Sequence, residues 1–298
     1  MAGLSIEQKH LIESLSRNDI TDSKKYAIYM MQDDKTKKND SFIRNYTKLL
    51  SDKNDLIPEN LKYKIIGQFP EDFNENRYYL SSREKELLDN IVKMKAVSDK
   101  MNELHIGYTN TVLLYGLPGV GKTLFGKYVA HELNLPFYYI NFSTMIDSYM
   151  GATSKNINLI FEYIKQLQCV FMLDELDCIA MKRKSGGQTG ADGELERTTV
   201  SIMQEFDKLP NNIIVMSATN RLDIIDDALL QRFSIKHEIV PFYPEENVTM
   251  INKFLKSTGT DKYISDKEVM EIISKEKYQR NIMSTLIREI GNKMYNEL

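Results

Sequence analysis

Eight residues, Gly116-Leu117-Pro118-Gly119-Val120-Gly121-Lys122-Thr123, fit the pattern G-x-x-x-x-G-K-[ST]. An apolar run precedes them and a helical run from Leu124 to Leu133 follows, which is the context a phosphate-binding loop requires. Glycines let backbone N–H groups turn inward around phosphates, and the start of the helix adds partial positive charge. Lys122 is placed to reach β- and γ-phosphates, and the Thr123 hydroxyl to ligate Mg²⁺. A Gly-rich strand-to-helix turn is the bland alternative, and the lysine-hydroxyl pair argues against it. About fifty residues on, Cys169-Val170-Phe171-Met172-Leu173 runs into Asp174-Glu175. Adjacent carboxylates at the tip of a buried strand are costly unless a cation or a reaction holds them there. Asp174 is expected on the metal and Glu175 on the attacking water; Asp177 reads as structural. A third apolar run, Ile213 to Ala218, ends in Thr219-Asn220. That amide is suited to orienting water and sensing the γ-phosphate. Arg232 follows a short helix at Asp227 to Gln231. An arginine supplied to a phosphoryl-transfer site raises its rate by about 10³–10⁵.

These residues need a scaffold that brings distant strand ends together. Thr111–Tyr115, Phe137–Asn141, Cys169–Leu173, Ile213–Ser217 and a weaker run at Ile235–Val240 are short, nearly continuous apolar stretches. Such runs separated by helical segments read as parallel strands covered on both faces, an α/β fold. Residues 1–66 read as three short amphipathic helices, the third around Phe42, Ile43, Tyr46, Leu49 and Leu50, that pack or dock a partner. Residues 67–81 are turn-rich and read as a linker. Residues 82–243 hold the strands, opening on a helix with Ser82 as its expected cap. Residues 244–298 read as three helices: Glu245–Leu255, Asp266–Ser274 and Ile282–Tyr295. The basic, Gly-rich stretch from Lys182 to Gly193 reads as a mobile loop.

Composition narrows the classes. The 298 residues carry a net charge of −3, which argues against a nucleic-acid partner. Only Cys169 and Cys178 are present, so a disulfide scaffold is excluded and a reducing cytoplasm is expected. No apolar run reaches the roughly 20 residues a membrane span needs. His10, His105, His131 and His237 lack metal-site spacing.

From about Tyr78 to Leu298 the chain resembles the AAA+ ATPases, close to the AAA branch proper. The quoted segments correspond to Walker A (Gly116 to Thr123, with Leu124 continuing the nucleotide-binding turn), Walker B, sensor 1 and the arginine-finger region. The resemblance implies a P-loop NTPase three-layer parallel sheet and a small helical lid, which the short all-α N-terminal domain read at residues 1–66 precedes. It further implies a homo-oligomeric ring, usually a hexamer, with ATP and Mg²⁺ between protomers and Arg232 acting on the neighbour's nucleotide. Tyr149-Met150-Gly151 occupies the place where related unfoldases grip a polypeptide with an aromatic-hydrophobic-Gly pore loop. An aromatic face and a thioether hold varied side chains without sequence readout. Two departures matter. Gln231 stands where many relatives have a first arginine, and Arg280-Asn281-Ile282 replaces the usual Gly-Ala-Asp. Arg280 is thus a candidate second sensor, and by analogy the adenine lies near Tyr78 to Leu80. The layout is similar to bacterial stand-alone AAA proteins encoded beside a subtilisin-like protease and associated with anti-phage defence. A nucleic-acid loader, favoured only by Lys182-Arg183-Lys184, and an ATP-dependent switch scaffold, disfavoured by the intact Asp174-Glu175 pair, remain as alternatives.

Overall fold

The computed structural model describes residues 4–17, 19–33, 39, 43, 57, 61, 64–143, 153–180 and 190–296. At the start, α1 (Ile6–Ser16) and α2 (Ile20–Asp33) pack against each other, with His10 and Tyr26 rings 4.9 Å apart. Ser5 caps α1, its Oγ accepting from the Gln8 amide at 3.2 Å while Gln8 reaches back to the Ser5 amide. The third N-terminal helix expected around Phe42 to Leu50 lies outside the described residues, Ile43 excepted.

Six strands form one sheet: β1 (Ile66–Gln68), β2 (Asn110–Tyr115), β3 (Phe137–Asn141), β4 (Val170–Asp174), β5 (Ile214–Thr219) and β6 (Ile235–Glu238). Their spatial order is β1-β3-β4-β5-β2-β6, and all pairs are parallel except β1 with β3. Because successive residues of a strand face opposite sides, the apolar runs feed two cores at once. Leu113, Ile140, Phe171, Leu173 and Val215 enter one cluster; Val112, Leu114, Met172, Ile214 and Met216 enter the other. On the first face lie α5 (Thr153–Ile164) and α6 (Gly190–Phe206), burying Ile157, Ile160, Phe161, Ile202 and Phe206. On the second lie α3 (Ser82–Glu103) and α4 (Lys122–Glu132), burying Leu87, Leu88, Ile91, Phe125 and Val129. Each such side chain contributes roughly 1.5–3 kcal/mol on burial. The result is the expected three-layer α/β arrangement with the strand tips on one edge.

Two local readings change. Ile66–Gln68 is an edge strand, paired antiparallel with β3 through Gly67 opposite Tyr138. Three residues, one of them glycine, carry no alternation that could announce a strand. Ile57, Leu61 and Ile65, just before it, bury in the first core cluster. The cap of α3 is Ser81, whose Oγ accepts from the Glu84 amide at 3.3 Å, not Ser82. The expected loop from Lys182 lies outside the described residues as far as position 189, and Gly190 already opens α6.

The last part is helical: α7 (Asp227–Leu230) precedes β6, then α8 (Pro244–Thr258), α9 (Asp266–Lys275) and α10 (Gln279–Tyr295) follow. Met250, Ile251, Leu255, Val269, Ile272, Ile282, Leu286 and Ile290 form their own core. The extended segment at 78–80 joins the two bodies by alternation: Tyr78 and Leu80 pack on the sheet core, Tyr79 on the helical one. No helix among the described residues is long and apolar enough to cross a membrane.

At this junction Arg83 donates to Glu246 of α8 at 2.8 Å and lies 4.8 Å over the Tyr243 ring. Its neighbour Glu84 is only 3% exposed, and neither carboxylate oxygen has a hydrogen-bond partner. Burial raises its pKa above the ordinary carboxylate range, Arg83 opposing this and Glu246 adding to it. A raised folded-state pKa means the folded chain holds this proton more tightly than the unfolded chain. The resulting penalty is absent below the ordinary carboxylate value and grows as pH rises through the folded one. Glu84→Gln is therefore predicted to raise the Tm by about 2–4 °C at neutral to mildly alkaline pH, an advantage that shrinks on acidification. Thermal unfolding across pH checks this; a gain that grows toward acid contradicts it.

Candidate active site

The carboxyl ends of β2, β4 and β5 lie side by side, and each delivers part of one polar constellation. After Tyr115 the chain turns through Gly116 at φ 140°, where a Cβ would stand 2.2 Å from the Ile239 carbonyl oxygen. No side chain fits that approach, which is held by the Ile239 amide donating to Tyr115 at 2.8 Å. Gly121, at φ 99°, caps α4 in a left-handed conformation that costs glycine little. Unpaired amides at the start of α4 thus open onto the loop, where they favour an anion. Val120 anchors the loop in the core, while Leu117, Pro118 and Leu124 are exposed, so their contribution to binding is through the backbone.

Lys122 is 7% exposed and donates from Nζ to the carbonyls of Gly116 (2.8 Å) and Leu117 (2.9 Å) and to Asn220 Oδ1 (2.8 Å). Burial is the largest influence on it and lowers its pKa; the Asp174 and Asp177 carboxylates oppose that shift, and Arg280 adds to it. Beside it the Thr123 hydroxyl donates to Asp174 Oδ2 at 2.6 Å, and the Glu175 amide donates to Asp174 Oδ1 at 2.9 Å. Glu175 itself is left-handed, at φ 56°, a conformation uncommon for a residue with a Cβ. It turns the chain sharply off β4, and Cys178 closes the turn by donating its amide to the Glu175 carbonyl at 2.9 Å. Lys122, Thr123, Asp174, Glu175 and Asn220, expected together from sequence, therefore share one edge of the sheet.

Arg232 has different partners. Its Nε and Nη2 donate to the two oxygens of Asp207, both at 2.9 Å, and Nη1 donates to the Ala228 carbonyl at 2.9 Å. The pairing holds the Asp207 carboxyl below its ordinary pKa. The Arg232 carbonyl accepts from buried Thr111 at 2.7 Å, which ties the backbone of Arg232 to β2. Arg280 is exposed, and its backbone amide donates to the Gly119 carbonyl at 3.1 Å, so α10 touches the apex of the loop. Tyr149, Met150 and Gly151 lie outside the described residues. Near the expected adenine position, the Tyr78 ring lies 4.4 Å from that of Tyr128, tilted by 30°.

Sequence reasoning missed Asp207 and Tyr139. Asp207 lies 25 positions before its arginine, too far for any local pattern. Tyr139 sits on β3 near Asp174; burial, then that carboxylate, raises its phenol pKa. Its place in an apolar run gave it the signature of a core residue. Among the described residues no cluster of three or more His, Cys, Asp or Glu could hold a metal.

Residues 112–240 match the family described as ATPase family associated with various cellular activities (AAA). The chain is 29% identical over 233 residues to an ATP-dependent zinc metalloprotease FtsH of Lachnoclostridium phytofermentans, a span of 75% of this chain and 40% of that protein. It is 28% identical over 250 residues to a 26S proteasome regulatory subunit 8 homolog of Naegleria fowleri, covering 79% and 55%. A proteasome-activating nucleotidase of Methanosarcina mazei is 43% identical over 123 residues, covering 40% and 29%. The chain thus spans about half, or less, of the length of these relatives. Their similarity supports ATP hydrolysis, and the strand order, glycine loop and acid pair give it a physical basis. Residues 112–240 form an AAA ATPase domain homologous to those of FtsH and the proteasome regulatory subunits.

Proposed function

We propose that this chain hydrolyses ATP at the seams of a homo-oligomeric ring, a hexamer in the simplest case, and uses the cycle to remodel, unfold or thread polypeptides. The observation that carries the reading is the convergence of Lys122, Thr123, Asp174, Glu175 and Asn220 on one sheet edge. Lys122 and the amides opening α4 bind the phosphates and stabilise charge that develops there. Binding requires Lys122 to exchange its carbonyl acceptors for phosphate oxygens. The Thr123 hydroxyl and Asp174 carboxylate are hard oxygen donors that suit Mg²⁺, which takes one or two protein oxygens and fills the rest with phosphates and water. Bound there, Mg²⁺ would neutralise charge on the phosphate oxygens. Glu175 accepts the proton of the attacking water, and Asn220, bonded to Lys122, holds that water against the γ-phosphate.

Arg232 supports the cross-seam part of the reading: among the described residues its guanidinium donates to Asp207, Ala228 and Met203, none of them in the phosphate loop of its own chain. The polypeptide substrate is supported by the names of the relatives, a protease and two proteasome-associated proteins, and by Tyr149-Met150-Gly151. The resemblance to stand-alone AAA proteins supports a separate subtilisin-like protease as partner, in antiviral defence within the cytoplasm. A neighbouring reading frame for such a protease tests that part alone.

Glu175→Gln is expected to bind ATP with wild-type affinity while turnover falls about 10²–10⁴-fold. Retained turnover removes Glu175 as the base. Arg232→Ala is expected to lose about 10³-fold or more in turnover. Mixing it with Glu175→Gln tests the seam, because one chain keeps its base and the other its arginine. Recovered phosphate release in the mixture supports action across the seam; none places Arg232 in its own site. Tyr149→Ala should slow polypeptide processing far more than ATP turnover, and equal losses contradict a gripping role.

A further inference from the structure

The parallel register between β4 and β5 ends at Leu173 opposite Ser217. The reacting groups lie beyond that point, on Glu175 and Asn220, where ladder hydrogen bonds no longer set their spacing. Asp177 spans this stretch. Its Oδ1 accepts from the Thr219 hydroxyl at 2.7 Å and from the Asn220 amide at 3.3 Å. Thr219 is 1% exposed and its Oγ1 also accepts from the Arg221 amide at 3.0 Å, so both sides of Asn220 are tied to one hydroxyl-carboxylate pair. On the other strand, Asp177 belongs to the short turn opened by left-handed Glu175, whose carbonyl accepts from Cys178 at 2.9 Å. That turn is pinned by Leu176 and Ile179, both fully buried. The path from base to water-holding amide therefore runs Glu175, rigid turn, Asp177, Thr219, Asn220.

We infer that Asp177 is a positioning residue that sets Asn220 at a fixed distance from Glu175, and that it acts as a hydrogen-bond acceptor rather than through its charge. This deepens the ATPase reading and rests on it. The alternative is electrostatic, since the Asp177 carboxylate also bears on the nearby Lys122 ammonium. An acceptor role survives replacement by an amide, whose carbonyl oxygen takes the same two donors. A charge role does not.

The test compares Asp177→Ala, Asp177→Asn and Thr219→Val in the full chain. The readouts are kcat and KM for ATP, affinity for a fluorescent ADP analogue, and amide hydrogen exchange at Asn220. Asp177→Ala should lower kcat by up to about 10²-fold, the loss expected when a reacting group shifts by about 1 Å. KM and ADP affinity should hold, and exchange at Asn220 should accelerate. Asp177→Asn should restore most of the lost rate and the slow exchange. Thr219→Val should behave like Asp177→Ala, and adding Asn220→Ala to Asp177→Ala should cost little more, because the two act as a unit. Wild-type kcat in Asp177→Ala overturns the inference, as does Asp177→Asn being as slow as the alanine variant. If Asp177→Ala does not fold, Thr219→Val decides: a fall in kcat at constant ADP affinity supports the inference and an unchanged kcat overturns it. A wild-type chain that releases no phosphate overturns the ATPase reading instead, and the exchange measurement then judges Asp177 separately.

Discussion

Three side-chain bridges cross the tips of β2, β4 and β5: Lys122 to Asn220, Thr123 to Asp174, and Thr219 to Asp177. They depend on one constraint. Only a parallel sheet in which β5 lies between β2 and β4 brings three tips separated by about fifty residues each onto a single edge. In open sheets of this kind ligands bind outside the carboxyl ends of the strands. Charged and polar groups gathered there at partial burial are costly unless paired, and Lys122 pairs with Asn220, Thr123 with Asp174 and Thr219 with Asp177. The cores on both faces exist, in this sense, to hold an arrangement that would otherwise fly apart.

The same constraint explains how the helical C-terminal part reaches the site. It has its own apolar core and meets the sheet through Tyr79, through the Arg83–Glu246 pair and through the Arg280 amide on Gly119. The last contact falls on the loop that would hold the phosphates, so a rotation of α10 and a change in that loop cannot be independent. Arg232 is anchored differently. Thr111 ties its backbone to β2 while Asp207 fixes its guanidinium in a two-point grip. For that arginine to serve a neighbouring chain it must exchange one anionic partner for another, which links assembly to nucleotide.

Much of this was legible in sequence because the informative residues are contiguous. The glycine loop, the Asp174-Glu175 tip and Asn220 each end an apolar run, and a run with its polar end is a local pattern. The five parallel strands and three C-terminal helices follow from the same periodicities. What escaped is non-local. Nothing in the chain near Asp207 points to Arg232, and nothing near Asp177 points to Thr219, which reads as the last residue of an apolar strand. Ile66–Gln68 is a strand only because Phe137–Tyr139 offers it an edge. Ser81 rather than Ser82 caps α3 because backbone geometry, not residue type, chose between two adjacent serines.

The central claim is that ATP is cleaved at a seam completed by a second copy. Specific phosphate release, measured from dilute to concentrated protein at saturating ATP and Mg²⁺, with assembly followed by sedimentation, tests it most directly. The account requires activity per chain to rise as the protein assembles and to level off once rings dominate. Activity per chain that stays constant down to concentrations where only monomers sediment would contradict it.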